Sequence, residues 1–124
     1  MEKRVLEEFI EETPDAVVAV DRKGVIVYWN KSAEEIFGYT KKEAEGSSLD
    51  IIIPEKLQQR HWEGFNKVME TGKSKYSKRD KLSVPAMTKS GGKIFIEFTI
   101  TTVKDNDGNI EYCFSVIREK EKNS

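Results

Sequence analysis

The chain has 124 residues, which suits one domain with one modest core. Hydrophobic residues make up 37% and charged residues 35%, a composition typical of a folded globular protein rather than a disordered one. The formal net charge of −1 comes with interspersed charges and no dominant basic face, which argues against a nucleic-acid partner. The single cysteine excludes an internal disulfide and favours a reducing, cytoplasmic location. The acidic N-terminus and the lack of about 20 consecutive apolar residues predict neither a signal peptide nor direct membrane insertion.

Short elements dominate the first half of the chain. A turn at 21–24 separates two apolar runs and predicts a β-hairpin. Thr40 and Glu43 have capping-box spacing, and Pro54 favours the first turn of a long helix that ends at Gly72. The predicted elements are a helix at 2–12, strands at 16–20 and 25–30, a short helix at 32–37, a one-turn helix after residue 40, a turn at 49–53 and a long helix at 54–71.

The second half of the chain predicts three strands. Residues 76–88 form an extended segment in which Pro85 marks an edge or a bulge. Residues 93–103 and 110–117 alternate apolar and polar side chains around a hairpin turn at 105–108. The element order lacks the strand–helix alternation of a doubly wound sheet. The sequence therefore predicts an α+β fold, with a five-stranded antiparallel sheet and helices packed over one face.

Several short motifs, each weak alone, resemble in their joint order the PAS domain family. They are PDAVVAVD at 14–21 with Gly24, YWNKSAEEIFGY at 28–39, Ile53-Pro54, KSGG at 89–92 and Asp107-Gly108. The resemblance implies a PAS domain at 13–118, an N-terminal flanking helix at 1–12 and a charged linker at 119–124. PAS domains are sensory and dimerisation modules, usually fused to histidine kinases, cyclases or transcriptional regulators. We therefore expect a non-catalytic sensor domain of a larger protein, for example of a two-component system.

His61, the only histidine, lies within the apolar arc of the long helix rather than on its charged side. An imidazole titrates near neutrality and readily binds metals. The Arg60-His61 step resembles the helix of haem-binding PAS oxygen sensors of the FixL type, in which this histidine is the proximal iron ligand. The resemblance implies that His61 binds the iron of haem b, so that the domain senses a diatomic gas or redox state.

The same resemblance implies the rest of the cofactor site. Two lysines are expected to pair with the haem propionates, and apolar side chains are expected to surround the ring. The implied residues are Trp62, Phe65, Leu82, Val84, Phe98, Ile100, Lys67 and Lys75. Leu82, or Lys81 in a shifted alignment, stands where those sensors have an arginine that bonds oxygen. An apolar residue there makes carbon monoxide, nitric oxide or redox state as plausible a signal as oxygen.

Other interpretations stay open at this point. His61 is also explained as a buried histidine bonded to a carbonyl, and Trp62 as a core or dimer residue. FAD could lie beside Trp29 and Asn30, although the absence of cysteine before Cys113 argues against a light-driven flavin adduct. A small-metabolite sensor is a further possibility.

The rival from a different class is a cofactor-free interaction module. The apolar stripe of residues 5–10 would pair with another copy, giving a homodimer through the N-terminal helix and the sheet. The chain has no glycine-rich phosphate loop, no Cys/His cluster and no ordered Ser/His/Asp set, so catalysis has no support.

Overall fold

The computed structural model describes residues 1–121. Its elements follow the predicted order closely. They are α1 (Lys3–Glu12), β1 (Ala16–Asp21), β2 (Ile26–Trp29), α2 (Lys31–Phe37), α3 (Lys41–Ala44), a 3₁₀ turn (Leu49–Ile52), α4 (Glu55–Thr71), β3 (Leu82–Met87), β4 (Lys93–Lys104) and β5 (Ile110–Lys120).

The five strands form one antiparallel sheet in the order β2-β1-β5-β4-β3, which confirms the predicted fold class. One row of paired residues crosses four strands, namely Ala16, Ile117, Phe98 and Leu82. Because paired residues in an antiparallel sheet point to the same side, this row marks the face that carries the core. Side chains from the helices complete that core, among them the fully buried Phe37.

The third strand is shorter than predicted. Residues 76–81, expected to be extended, form turns with exposed side chains, and the strand begins only at Leu82. The predicted extension is wrong because pairing of β3 with β4 stops at Leu82 and Phe98, although β4 itself continues to Lys104. The charged stretch before Leu82 has few apolar side chains to bury and remains exposed in turns. Pro85 does lie on an edge strand, where its missing N–H costs least.

The last strand is longer than predicted. Glu119 and Lys120, expected to belong to a linker, continue β5 by pairing with Ile96 and Phe95 of β4. Backbone ladder bonds to a long neighbouring strand thus outweigh the lack of apolar residues. The rest of the predicted tail, residues 122–124, lies outside the described residues.

Asn30, fully buried at the end of β2, connects three elements. Its Oδ1 accepts hydrogen bonds from the backbone N–H groups of Val17 (2.9 Å) and Ala33 (3.0 Å). The first bond ties Asn30 to β1, and the second caps the N-terminus of α2. Its Nδ2 donates to the carbonyl groups of Ile10 (2.9 Å) and Asp15 (3.0 Å), which fastens the end of α1. One side chain therefore satisfies four backbone groups.

We expect Asn30→Ala to lower the free energy of unfolding by about 3 kcal/mol, because it leaves buried N–H groups without an acceptor. Asn30→Asp should keep the helix cap but place a carboxylate oxygen against two carbonyl oxygens, so α1 should unfold first. Urea unfolding followed by circular dichroism measures both variants. Asn66→Ala, at an exposed position of α4, is the control. An Asn30→Ala variant as stable as this control would contradict the role assigned to Asn30.

Candidate functional site

His61 lies near the middle of α4 and is half-buried. Its Nδ1 atom is buried and has no hydrogen-bond partner within residues 1–121. The imidazole packs edge-on against Trp62, with ring centroids 4.5 Å apart, and stacks at 6.0 Å on Phe65. A core histidine bonded to a carbonyl donates an N–H group, and among residues 1–121 Nδ1 of His61 forms no such bond.

Burial of the imidazole lowers the pKa of His61 from its ordinary value of 6.5, and the charge of Asp50 opposes this shift. Desolvation disfavours the charged form, so the ring is neutral at pH 7. A neutral imidazole is the form that coordinates metals. His61 therefore has the protonation state that a metal ligand requires.

Four predicted site residues lie on one face of the sheet. Phe98 and Ile100 are two apart on β4, and Leu82 on β3 pairs with Phe98. Val84 pairs with Ile96, a core residue, and retains 37% exposure. The structure thus places Leu82, Val84, Phe98 and Ile100 on the same face of the sheet, and their role in binding a cofactor stays a prediction.

The two predicted lysines lie apart from that wall. Lys67 is exposed on α4, and Lys75 is exposed with its Nζ 5.1 Å from the ring centroid of Tyr76. Within the described part of the chain, neither side chain forms an ion pair. Both remain able to bind an anionic group.

Trp62 is held by two residues that sequence reasoning did not assign to the site. Its Nε1 donates to Asp50 Oδ1 at 2.6 Å, and its ring lies against Gly24 in the β1–β2 turn. Asp50 had a weak sequence signal, as an acid in a turn before a helix, and Gly24 indicated only a turn. Their meeting with Trp62 depends on the tertiary fold.

The residues at the alternative flavin corner are used by the fold itself. Trp29 is fully buried and donates from Nε1 to the Tyr39 carbonyl at 3.0 Å. Asn30 uses both its amide nitrogen and its amide oxygen within the chain. Neither side chain offers a free polar group to FAD.

Two cavities lie near the predicted site without including His61. One, of about 660 Å³, lies between the first turn of α4 and strands β3 and β4, and is lined by Pro54, Lys56, Met87 and Lys93 among others. The other, of about 150 Å³, has Phe98 and Lys81 in its wall. The larger cavity therefore adjoins the N-terminal end of α4 rather than His61.

Residues 1–121 contain no group of three or more His, Cys, Asp or Glu side chains that could together hold a metal ion. Haem needs only one protein ligand, since its macrocycle supplies four nitrogen atoms, so a lone His61 fits haem better than a free metal ion. In the same part of the chain, no helix combines the length and the apolar character that a membrane crossing requires.

Residues 5–119 match the family described as PAS fold. The chain belongs to the PAS family, whose members are sensory modules of signalling proteins. It is 25% identical over 110 residues to the oxygen sensor protein DosP of Escherichia coli, which covers 89% of this chain and 13% of DosP. It is 38% identical over 48 residues to the sensor protein FixL of Bradyrhizobium diazoefficiens, which covers 39% of this chain and 10% of FixL. The chain therefore spans only a small part of these relatives.

Among solved structures, the chain is similar to a PAS domain of a protein from Colwellia psychrerythraea. The TM-score is 0.81 at 18% sequence identity, with 96% of this chain and 97% of that chain covered. At this identity the likeness shows the shared fold alone. It agrees with the five-stranded sheet and its overlying helices.

We expect the native pKa of His61 to lie below 6.5, measured from its imidazole proton resonances between pH 4 and pH 8. As pH falls below about 6.5, the unfolded chain takes up a proton that the native state resists, so the free energy of unfolding should decrease. Above that pH the ring is neutral in both states and contributes no slope. His61→Gln should remove the contribution of His61 to the pH dependence of the free energy of unfolding. A native pKa at or above 6.5 would contradict the burial described here.

Proposed function

We propose that this chain is a non-catalytic sensory PAS module that binds haem b through His61 and reports a diatomic gas or a redox change. The observation that carries the proposal is a half-buried, neutral imidazole on α4 whose buried Nδ1 has no hydrogen-bond partner among residues 1–121. The resemblance of the Arg60-His61 step to haem-binding PAS sensors supports the same ligand.

Different residues of this chain would contact different parts of the haem. His61 would be the proximal ligand, Phe65 and Trp62 would hold its ring in place, and apolar side chains of β3 and β4 would exclude water from the opposite face. Lys67 and Lys75 would approach the propionates. Bound haem would supply an iron centre for gas or electrons.

Leu82 supports a signal other than oxygen alone. It is half-buried and pairs with Phe98 on the neighbouring strand, whereas Lys81 is exposed. A leucine offers no hydrogen bond to a polar ligand, so binding of oxygen would gain nothing over carbon monoxide from this position. Nitric oxide and redox state are compatible signals for the same reason.

Among the elements near His61, α4 is the one that can most easily make space for the macrocycle. None of the 17 residues of α4 is fully buried, whereas β1 has five buried residues in a row. An element with few buried contacts opens at a smaller free-energy cost than a core strand. We therefore expect α4, rather than the sheet, to adjust when haem binds.

A haem titration of the purified protein tests the proposal. The expected result is a sharp Soret band that saturates at one haem per chain and is lost in His61→Ala. Gln59→Ala is the matched control, because Gln59 is exposed two residues earlier on the same helix. Spectra like that of free haem in both the parent and His61→Ala would refute haem binding through His61.

The second candidate, a cofactor-free dimerisation module, is favoured by α1. This helix has no buried residue, and its apolar stripe is open, with Leu6 46% and Phe9 67% exposed. Burial of such side chains is a strong driving force for association. A second copy of the same helix, with the neighbouring sheet, would cover the stripe, and an effector such as a kinase, cyclase or transcriptional regulator would receive the signal.

We expect Phe9→Glu to raise the dimer dissociation constant at least about tenfold, because it places a charge in the centre of the stripe. Sedimentation velocity over a range of concentrations measures the change. Lys3→Gln, exposed on the same helix, also changes the net charge by about −1 and is the charge control. A parent protein that stays monomeric at all concentrations tested would exclude dimerisation through α1.

A further inference from the structure

We infer that Trp62 is a latch that fastens α4 to the β1–β2 hairpin, and that α4 opens as a lid when this latch releases. The lid would turn about the Ile53-Pro54 step, away from the β1–β2 hairpin. This inference concerns the chain without any ligand and does not depend on haem.

The first contact of the latch is a hydrogen bond. Trp62 Nε1 donates to Asp50 Oδ1 at 2.6 Å, and hydrogen bonds to an ionised acceptor are stronger than neutral ones. Asp50 lies in the 3₁₀ turn before the hinge, and Trp62 lies about 12 Å along the helix axis from Pro54. The bond therefore resists rotation of α4 at a distance from its hinge.

The second contact is a close approach that only glycine allows. A Cβ atom on Gly24 would lie 2.2 Å from Cη2 of Trp62, and the backbone φ angle there is +79°. The Gly24 carbonyl also accepts the Leu49 N–H at 3.1 Å. The backbone of Leu49 is thus bonded to the hairpin, and the side chain of the next residue, Asp50, is bonded to the indole of Trp62. These two adjacent residues connect the hairpin with α4.

The rest of α4 offers few competing attachments. Gln58 donates to the Ile53 carbonyl at 3.0 Å, which anchors only the first turns beside the hinge. Phe65 packs on the core, while Val68 and Met69 are half-buried. Past Gly72, residues 73–81 are all exposed. Once the contacts of Trp62 with Asp50 and Gly24 break, the C-terminal half of α4 is held by little more than partial apolar contact.

Hydrogen exchange on the full chain without added ligand tests the latch. Asp50→Ala should speed exchange of α4 amides roughly 10- to 100-fold, while β1 and β5 amides remain protected. Asp50→Asn, which still offers an oxygen to the indole, should largely restore protection. Asp107→Ala removes a carboxylate from an exposed hairpin and is the charge-matched control.

The outcome that would overturn the latch is α4 exchange in Asp50→Ala equal to that in Asp107→Ala. Equal loss of protection in α4, β1 and β5 would also overturn it, because the bond would then stabilise the whole domain rather than the lid. Haem titration is a separate readout, so failure of haem binding leaves this result unchanged.

A second set of variants keeps the test informative if Asp50→Ala folds poorly. Gly24→Ala should destabilise the parent protein more than it destabilises Trp62→Ala, because removal of the indole relieves the close approach and leaves only the φ strain. Urea unfolding of the two single variants and the double variant gives the coupling. Fully additive effects would show that Trp62 does not rest on Gly24 and would overturn the latch.

Discussion

The buried carboxamide of Asn30 is the interaction on which the rest of the domain depends. It satisfies backbone groups from α1, β1 and α2 at once, and these groups need a partner because Asn30 is fully buried. Beside it, the fully buried Trp29 bonds to the Tyr39 carbonyl and positions the chain that leads into α3. These neighbouring residues make one side of the domain rigid.

The opposite side of the core is built differently. The long helix α4 carries His61 yet buries none of its residues completely, and the Trp62–Asp50 bond is a specific polar contact across it. A ligand can shift a conformational equilibrium only where two arrangements differ little in free energy. A rigid sheet with a lightly held helix above it is therefore suited to sensing, because binding energy moves one element and leaves the fold intact.

Local patterns predicted the elements well, and long-range contacts account for the errors. The capping box at Thr40 and Glu43 exists with both reciprocal bonds, because its atoms are close in sequence. The strand predicted at 76–81 is absent, because these charged residues stay exposed in turns and do not pair with β4, which itself continues to Lys104. Helical periodicity placed Trp62 in the apolar arc with His61, but it could not predict that Asp50 and Gly24 would receive the indole.

The sequence by itself determined the order of strands and helices along the chain, the alternation that gives the sheet a core face, and the place of His61 within the apolar arc of its helix. These properties follow from periods of two and about 3.6 residues, which are visible along the chain. Only the tertiary structure decided that Nδ1 of His61 lacks a hydrogen-bond partner among residues 1–121, that Asn30 joins three elements, and that Trp62 contacts the hairpin. Those features arise where backbone segments distant in sequence meet, and periodicity carries no information about such meetings.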